Sequence, residues 1–207
     1  MLRITHRIQA LGAVLTVAAA VLVAAAPAHA DTSAGVDPCA PAPSGKPFTA
    51  WGDSANYVPV PGGAFERGDA SWSVSGGATV KSGNESFFVR SCDDAQSLTL
   101  PAGATATSPE MEIGLAYPTL RFFARNDAPS DGRLTVHVLF RTPDNTRREV
   151  KIADLSAGES WQPTRTILIL ANLLALYPSW DGKVAFRVTA SGTTWNVDDF
   201  FVDPYER

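Results

Sequence analysis

The sequence predicts an all-β domain of the sandwich or barrel class, and three observations carry that expectation. Short apolar or alternating runs recur from residue 57 to residue 202, clusters of Gly, Pro, Asn and Asp separate them, and hardly any segment shows a helical period. Strands are expected at 57–60, 71–75, 78–81, 86–91, 96–100, 103–108, 118–125, 133–142, 147–153, 165–170, 183–190 and 194–202. The intervening residues have turn chemistry, as in Pro61-Gly62-Gly63, Gly76-Gly77, Ser82-Gly83-Asn84, Pro101-Ala102-Gly103, Ser130-Asp131-Gly132, Pro143-Asp144-Asn145, Asp181-Gly182 and Ser191-Gly192. One stretch, 171–176, has the spacing for one or two helical turns before Pro178. No internal repeat is visible.

Three strands display their faces. Leu134, Val136, Val138 and Phe140 alternate with Arg133, Thr135, His137, Leu139 and Arg141. Leu120, Phe122 and Ala124 alternate with Arg121, Phe123 and Arg125, and Val184, Phe186 and Val188 share a face opposite Arg187. A period of two places each apolar set on one side of its strand, so that side is core. If these strands are neighbours, the opposite side gathers Arg121, Phe123, Arg125, His137, Arg141 and Arg187 into a basic, partly aromatic sheet face. Such a face either meets an anionic partner or is a solvated surface whose arginine stems pair with nearby acids.

The first thirty residues have the three parts of an export signal. Arg3 and Arg7 precede an apolar run from Ile8 to Ala26, which closes on Ala28-His29-Ala30, so cleavage is expected before Asp31. A membrane anchor would need about 20 strongly apolar residues, whereas much of this run is alanine. The signal holds two of the 17 basic residues and none of the 21 acidic ones, which leaves a formal charge of −6 on the exported chain. An acidic extracellular chain is a poor candidate for binding nucleic acid, because phosphates reward a positive surface. Residues 31–50 are rich in Pro, Ala, Ser and Gly and read as a tether, with the β domain at 51–207. The two cysteines of the chain, Cys39 and Cys92, are expected to form one disulfide in an oxidising compartment. Closing that loop of about 54 residues stabilises by about 4 kcal/mol in the chain-entropy view.

Two segments resemble carbohydrate-binding modules of the galactose-binding-like jelly-roll type. Pro61-Gly62-Gly63-Ala64-Phe65-Glu66-Arg67-Gly68 followed by Trp72-Ser73-Val74 is similar to their opening, and Trp195-Asn196-Val197-Asp198-Asp199-Phe200-Phe201-Val202 to their closing strand. The resemblance implies a single jelly-roll β-sandwich. The whole chain also resembles a family of secreted actinobacterial proteins, on runs at 83–87, 118–126 and 171–174, and that resemblance implies no activity. In the jelly rolls an opening Glu and a closing Asp often hold a structural calcium. Carried over, Glu66 and Asp198 would be ligands, with Asp199 the other candidate; Ala64, between Gly63 and Phe65, departs from the pattern. The competing reading is that these acids cap backbone N–H groups at the sheet end.

Sugar recognition needs rings to stack on a pyranose and polar groups to fix its hydroxyls. The candidates are Trp51, Trp72, Trp161, Tyr177 and Trp180, with Trp180 and Tyr177 favoured because 177–182 reads as a loop, and Trp72 and Trp195 expected in the core. Catalytic chemistry is sparse. His137 is the only histidine left after export, and Gly52-Asp53-Ser54, though similar to the nucleophile motif of GDSL-type esterases, lacks that family's α/β scaffold and late D-x-x-H. Glu85, Glu110, Glu112 and Glu149 are the acids formally open to glycoside hydrolysis. The expectation is therefore a secreted, non-catalytic protein that recognises an extracellular or cell-wall glycan. Its rivals are an envelope interaction module using the basic sheet face, and a glycan-active hydrolase.

Overall fold

The computed structural model describes residues 45–66, 71–113, 119–128, 132–142, 144–169 and 182–203. The export signal, most of the tether, Cys39, Tyr177, Trp180 and the helical stretch at 171–176 lie outside the described residues. Thirteen strands are described: β1 (Val58–Pro59), β2 (Ser73–Ser75), β3 (Thr79–Ser82), β4 (Gln96–Leu100), β5 (Thr105–Thr107), β6 (Met111–Glu112), β7 (Thr119–Asn126), β8 (Arg133–Arg141), β9 (Arg147–Leu155), β10 (Gln162–Pro163), β11 (Ile167–Leu168), β12 (Lys183–Ser191) and β13 (Trp195–Val202). They form two antiparallel sheets packed as a jelly-roll sandwich. The first runs β10-β7-β13-β4-β3, with β1 on β13 and β11 on β7; the second runs β2-β5-β12-β8-β9, with β6 on β12.

The predicted alternation builds the core. Leu120, Phe122, Ala124, Val197 and Phe200 of the first sheet pack against Leu134, Val136, Val138, Val184, Phe186 and Val188 of the second. Phe122 and Phe200 stack at 4.2 Å, while Trp72 meets Phe65 and Phe200 and its indole N–H donates to the Pro61 carbonyl at 3.0 Å. Trp72 and Trp195 are thus core residues, as the sequence suggested.

Two glycines permit close approach. A Cβ at Gly63 would sit 2.9 Å from the Phe200 Cβ, and one at Gly132 would collide with the Asn126 amide and lie 3.0 Å from Trp195 Nε1. Gly132→Ala is therefore expected to destabilise by about 1–3 kcal/mol, as overpacking of a filled site does. A thermal melt should fall by roughly 2–4 °C per kcal/mol.

One correction to the strand reading has a clear cause. Residues 86–91, apolar enough to read as a strand, form a loop, because the Glu85 carboxylate takes the N–H groups of Phe87 and Val89 that a ladder would need. At the chain's other aromatic-rich end, the packed body reaches back to Phe48. That ring is fully buried against Tyr57, Phe123 and Phe201 on the outer side of the first sheet.

Candidate functional site

A period of two reveals which side of a strand is apolar but not which sheet the strand joins, and here that distinction decides the site. β7 lies in the first sheet and β8 and β12 in the second, so the six residues expected on one basic face are divided between the two outer surfaces of the sandwich. On the second sheet His137, Arg141 and Arg187 do share a side, but acids meet them. Arg187 reaches Glu149 at 2.6 Å, His137 lies 3.6 Å from the same carboxylate, and Arg141 lies 3.6 Å from Glu110. No Trp, Tyr or Phe among the described residues of β2, β5, β8, β9 and β12 faces outward there; Phe140 and Phe186 belong to the core. This surface is a solvated face on which acids meet these basic groups.

On the first sheet the outer surface is covered. The 3-10 turn Thr49–Trp51 and the loop after Glu85 bring Phe48, Trp51, Tyr57, Phe87 and Trp161 onto Phe123 and Phe201. Arg121 is buried among them, its guanidinium 2.6 Å from Asp53, 4.2 Å from the Phe48 ring centre, and its Nε donating to the Thr164 carbonyl at 3.0 Å. Arg125, further along β7, lies 5.6 Å from the Trp161 ring centre.

Beside this cluster the surface opens into a depression of about 720 Å³, lined by Trp51, Asp53, Tyr57, Arg121, Arg165 and Asp203 among others. Asp53 organises its floor, accepting from the Tyr57 hydroxyl at 2.7 Å, from Arg121, and from the Ala55 N–H at 3.1 Å. Burial alone would raise the Asp53 carboxyl, but the Tyr57 hydroxyl and the Arg121 guanidinium outweigh it and hold the group below the usual carboxylate range. Burial pushes the Tyr57 phenol up to about 12. Burial, and then the Asp53 charge, raise Asp203. The cleft therefore presents a half-buried indole, a fixed ion pair and two carboxyls shifted in opposite directions. Of this set, Trp51 was already a sugar-binding candidate and Arg121 a ligand-binding candidate of the basic face. Asp53, Tyr57, Arg165 and Asp203 were not, and their only sequence signal was the short Gly52-Asp53-Ser54 motif.

A second polar cluster lies at the end of β13. The ladder with β7 shifts register between Asp198 and Phe201, a bulge that leaves Asp199 in the left-handed region at φ 49°. Two further non-glycine residues with positive φ, Phe65 and Phe88, stand beside acids of the same cluster. Glu66 accepts from the Ala95 and Gln96 N–H groups, both at 2.7 Å, and Asp198 accepts from Glu85 at 3.0 Å and Asp199 at 2.9 Å. Both acids cap backbone, as the competing reading had it. Asp199 does not: it is fully buried, and neither carboxylate oxygen has a hydrogen-bond partner among the described residues. Burial and then the Asp199 charge push Asp198 far above its ordinary range, and burial and then the Glu85 charge do the same to Asp199.

Among the described residues this cluster does not present a ready site for a hard divalent cation, and the Arg90 charge acts on Asp199 from within it. Calcium takes roughly six to eight oxygens from carboxylates and neutral carbonyls. Among the described residues no three Asp, Glu, His or Cys side chains are gathered into a ready cage. The donors in want of partners are instead mixed, comprising Asp199, Asp94 and the side-chain carbonyls of Asn84 and Gln96, all buried oxygens without hydrogen bonds among the described residues. The expected ligands Glu66 and Asp198 are instead spent on backbone N–H groups. Cys92 is exposed at the end of this loop, and no described cysteine is free; its expected partner Cys39 lies outside the described residues.

No protein-family model matches the sequence, and no curated protein matches it. Solved structures do. A xylanase fragment of Clostridium thermocellum, a family 22 carbohydrate-binding module joined to its catalytic module and complexed with xylohexaose, is 11% identical, with a TM-score of 0.46 over 66% of this chain and 26% of that one. The family 22 xylan-binding domain from Paenibacillus barcinonensis is 11% identical, with a TM-score of 0.44 over 73% of this chain and 94% of that one. The K1 adhesin domain of Lys-gingipain from Porphyromonas gingivalis is 8% identical, with a TM-score of 0.41 over 66% and 92%. At such identities nothing about a ligand transfers. The class of the protein, a two-sheet jelly-roll sandwich, rests on its own strands and registers.

Proposed function

We propose that this chain is an exported, non-catalytic carbohydrate-recognition protein whose glycan seats in the Trp51 cleft. The observation that carries the reading is the pairing, in one open depression of about 720 Å³, of a half-buried indole with hydrogen-bonding groups already fixed by one another. A pyranose offers an apolar face for the ring and hydroxyls for Arg165 and Asp203. Groups held before binding cost little ordering when a ligand arrives. The basic segment, apolar run and alanine motif of residues 1–30 support export, and the Cys39–Cys92 bridge belongs to the same oxidising setting. The non-catalytic reading is supported by Asp53, whose oxygens are committed to Tyr57, Arg121 and Ala55 rather than offered to a substrate proton. The envelope-interaction alternative is less favoured, because Glu149 and Glu110 meet the arginines it would use.

Sedimentation with insoluble cellulose, chitin, xylan and peptidoglycan tests the reading. Retention by at least one of these is expected. Arg165→Ala, a change at an exposed cleft residue, should weaken retention about tenfold while leaving the melt in place. Equal retention of the two proteins would place the ligand elsewhere.

A further inference from the structure

We propose that the sandwich holds a second binding site, which takes a small straight-chain carboxylic acid with its chain between the sheets and its carboxylate on Arg165. The site lies at one edge of the sandwich. β10 ends the strand order of the first sheet and β9 that of the second, and residues 156–161 join the two.

Small residues open the space. The core positions of β7 carry Leu120 and Phe122, but the third is Ala124, and Ala157 and Gly158 of the joining loop line the same gap. The result is a pocket of about 370 Å³. Its floor is Ala124, Leu155 and Trp195, none more than 6% exposed, and Ala157 and Pro163 stand above them. Protein interiors leave few voids larger than a water molecule, so core residues bordering a space of this size invite an apolar occupant. The volume is at the low end of the roughly 300–1,000 Å³ that small-molecule sites span. A pyranose does not suit it, because the Trp195 ring is fully buried and offers no open face for stacking. An aliphatic chain needs only apolar contact.

Charge selects the head group. Arg165 is exposed at the mouth, and its side chain makes no ion pair or hydrogen bond with a described residue. Asp154, the acid at the same mouth, is held by the Lys151 ammonium at 2.7 Å and the Thr135 hydroxyl at 2.9 Å. Its charge is balanced where it stands, and the guanidinium of Arg165 is left to an incoming carboxylate, which it can grip through two parallel N–H bonds. Arg165 also lines the Trp51 cleft, so the two sites border one another across it.

The test is calorimetric titration of sodium octanoate into the chain from Asp31, with butanoate, hexanoate and 1-octanol alongside. Affinity should rise about fourfold for each methylene added from butanoate to octanoate, the gain from moving one CH₂ out of water. The neutral 1-octanol should bind about tenfold more weakly than octanoate. Ala157→Phe, which fills the pocket, should abolish octanoate binding. Arg165→Gln should bring octanoate down to the level of 1-octanol and leave 1-octanol unchanged. Melts show that each variant is folded, and the exposed Arg165 position keeps the test decisive if Ala157→Phe does not fold. A wild type that binds no octanoate, an affinity that ignores chain length, or octanoate binding undiminished in either folded variant overturns the proposal. Folded Ala157→Phe should still be retained by insoluble glycan, so a blank glycan screen would remove the cleft reading without touching this result.

Discussion

Arg121→Ala is expected to destabilise the protein by about 3 kcal/mol, the cost of breaking a largely buried ion pair after allowing for the partial exposure of Asp53. The substitution strands the Asp53 carboxylate, removes the cation over the Phe48 ring and leaves the Thr164 carbonyl without its donor. In a thermal melt the loss should read as roughly 6–12 °C. Arg141→Ala removes an exposed pair with Glu110 and should cost under about 1 kcal/mol. Adding Asp53→Asn to Arg121→Ala should recover part of the loss, since the uncompensated charge goes with it. The pH profile follows from the lowered Asp53 carboxyl. Its contribution is fully present above the unfolded pKa of about 3.9 and is lost as pH falls through the depressed folded value, so the two melts should converge in acid. Equal losses for Arg121→Ala and Arg141→Ala would mean that β7 is as exposed as β8.

Asp199→Asn is expected to act in the opposite direction. A carboxyl whose folded pKa is raised holds its proton better in the native state, so stability falls as pH rises from about 4 through the raised value. Wild type should therefore melt lower at pH 8 than at pH 5, and the neutral asparagine should flatten that slope and melt higher at pH 8. A variant that melts lower than wild type at pH 8 would contradict it.

These two substitutions also mark where the sequence was legible and where it was not. The strands at 133–142 and 183–190 were readable because their alternation is unbroken, and Trp72 and Trp195 because apolar residues at the period of two surround them. The loop at 86–91 misled because Ser86-Phe87-Phe88-Val89 has strand composition, while the force that bends it is a carboxylate just upstream. Arg121 looked like a partner of Arg141 because periodicity assigns sides and not sheets. The cleft was hidden for a different reason. Asp53 and Arg121 are 68 residues apart, Asp203 stands beyond the last strand, and only folding brings them to one depression. The acid cluster was half legible. The motif pointed to Glu66, Asp198 and Asp199, but the bulge that frees Asp199 while Asp198 is spent on backbone N–H groups has no local signature.

The most direct measurement is a glycan array probed with the chain from Asp31 and with its Trp51→Ala variant side by side. Since Trp51 also packs on Phe87 and Phe123, each protein is checked by its melt and assayed below it. Glycan recognition in the Trp51 cleft predicts binding of the wild type to a related set of saccharides and a loss of tenfold or more in the folded variant, about 1.4 kcal/mol. A folded wild type that binds nothing, or a variant that binds the same saccharides equally well, would contradict it.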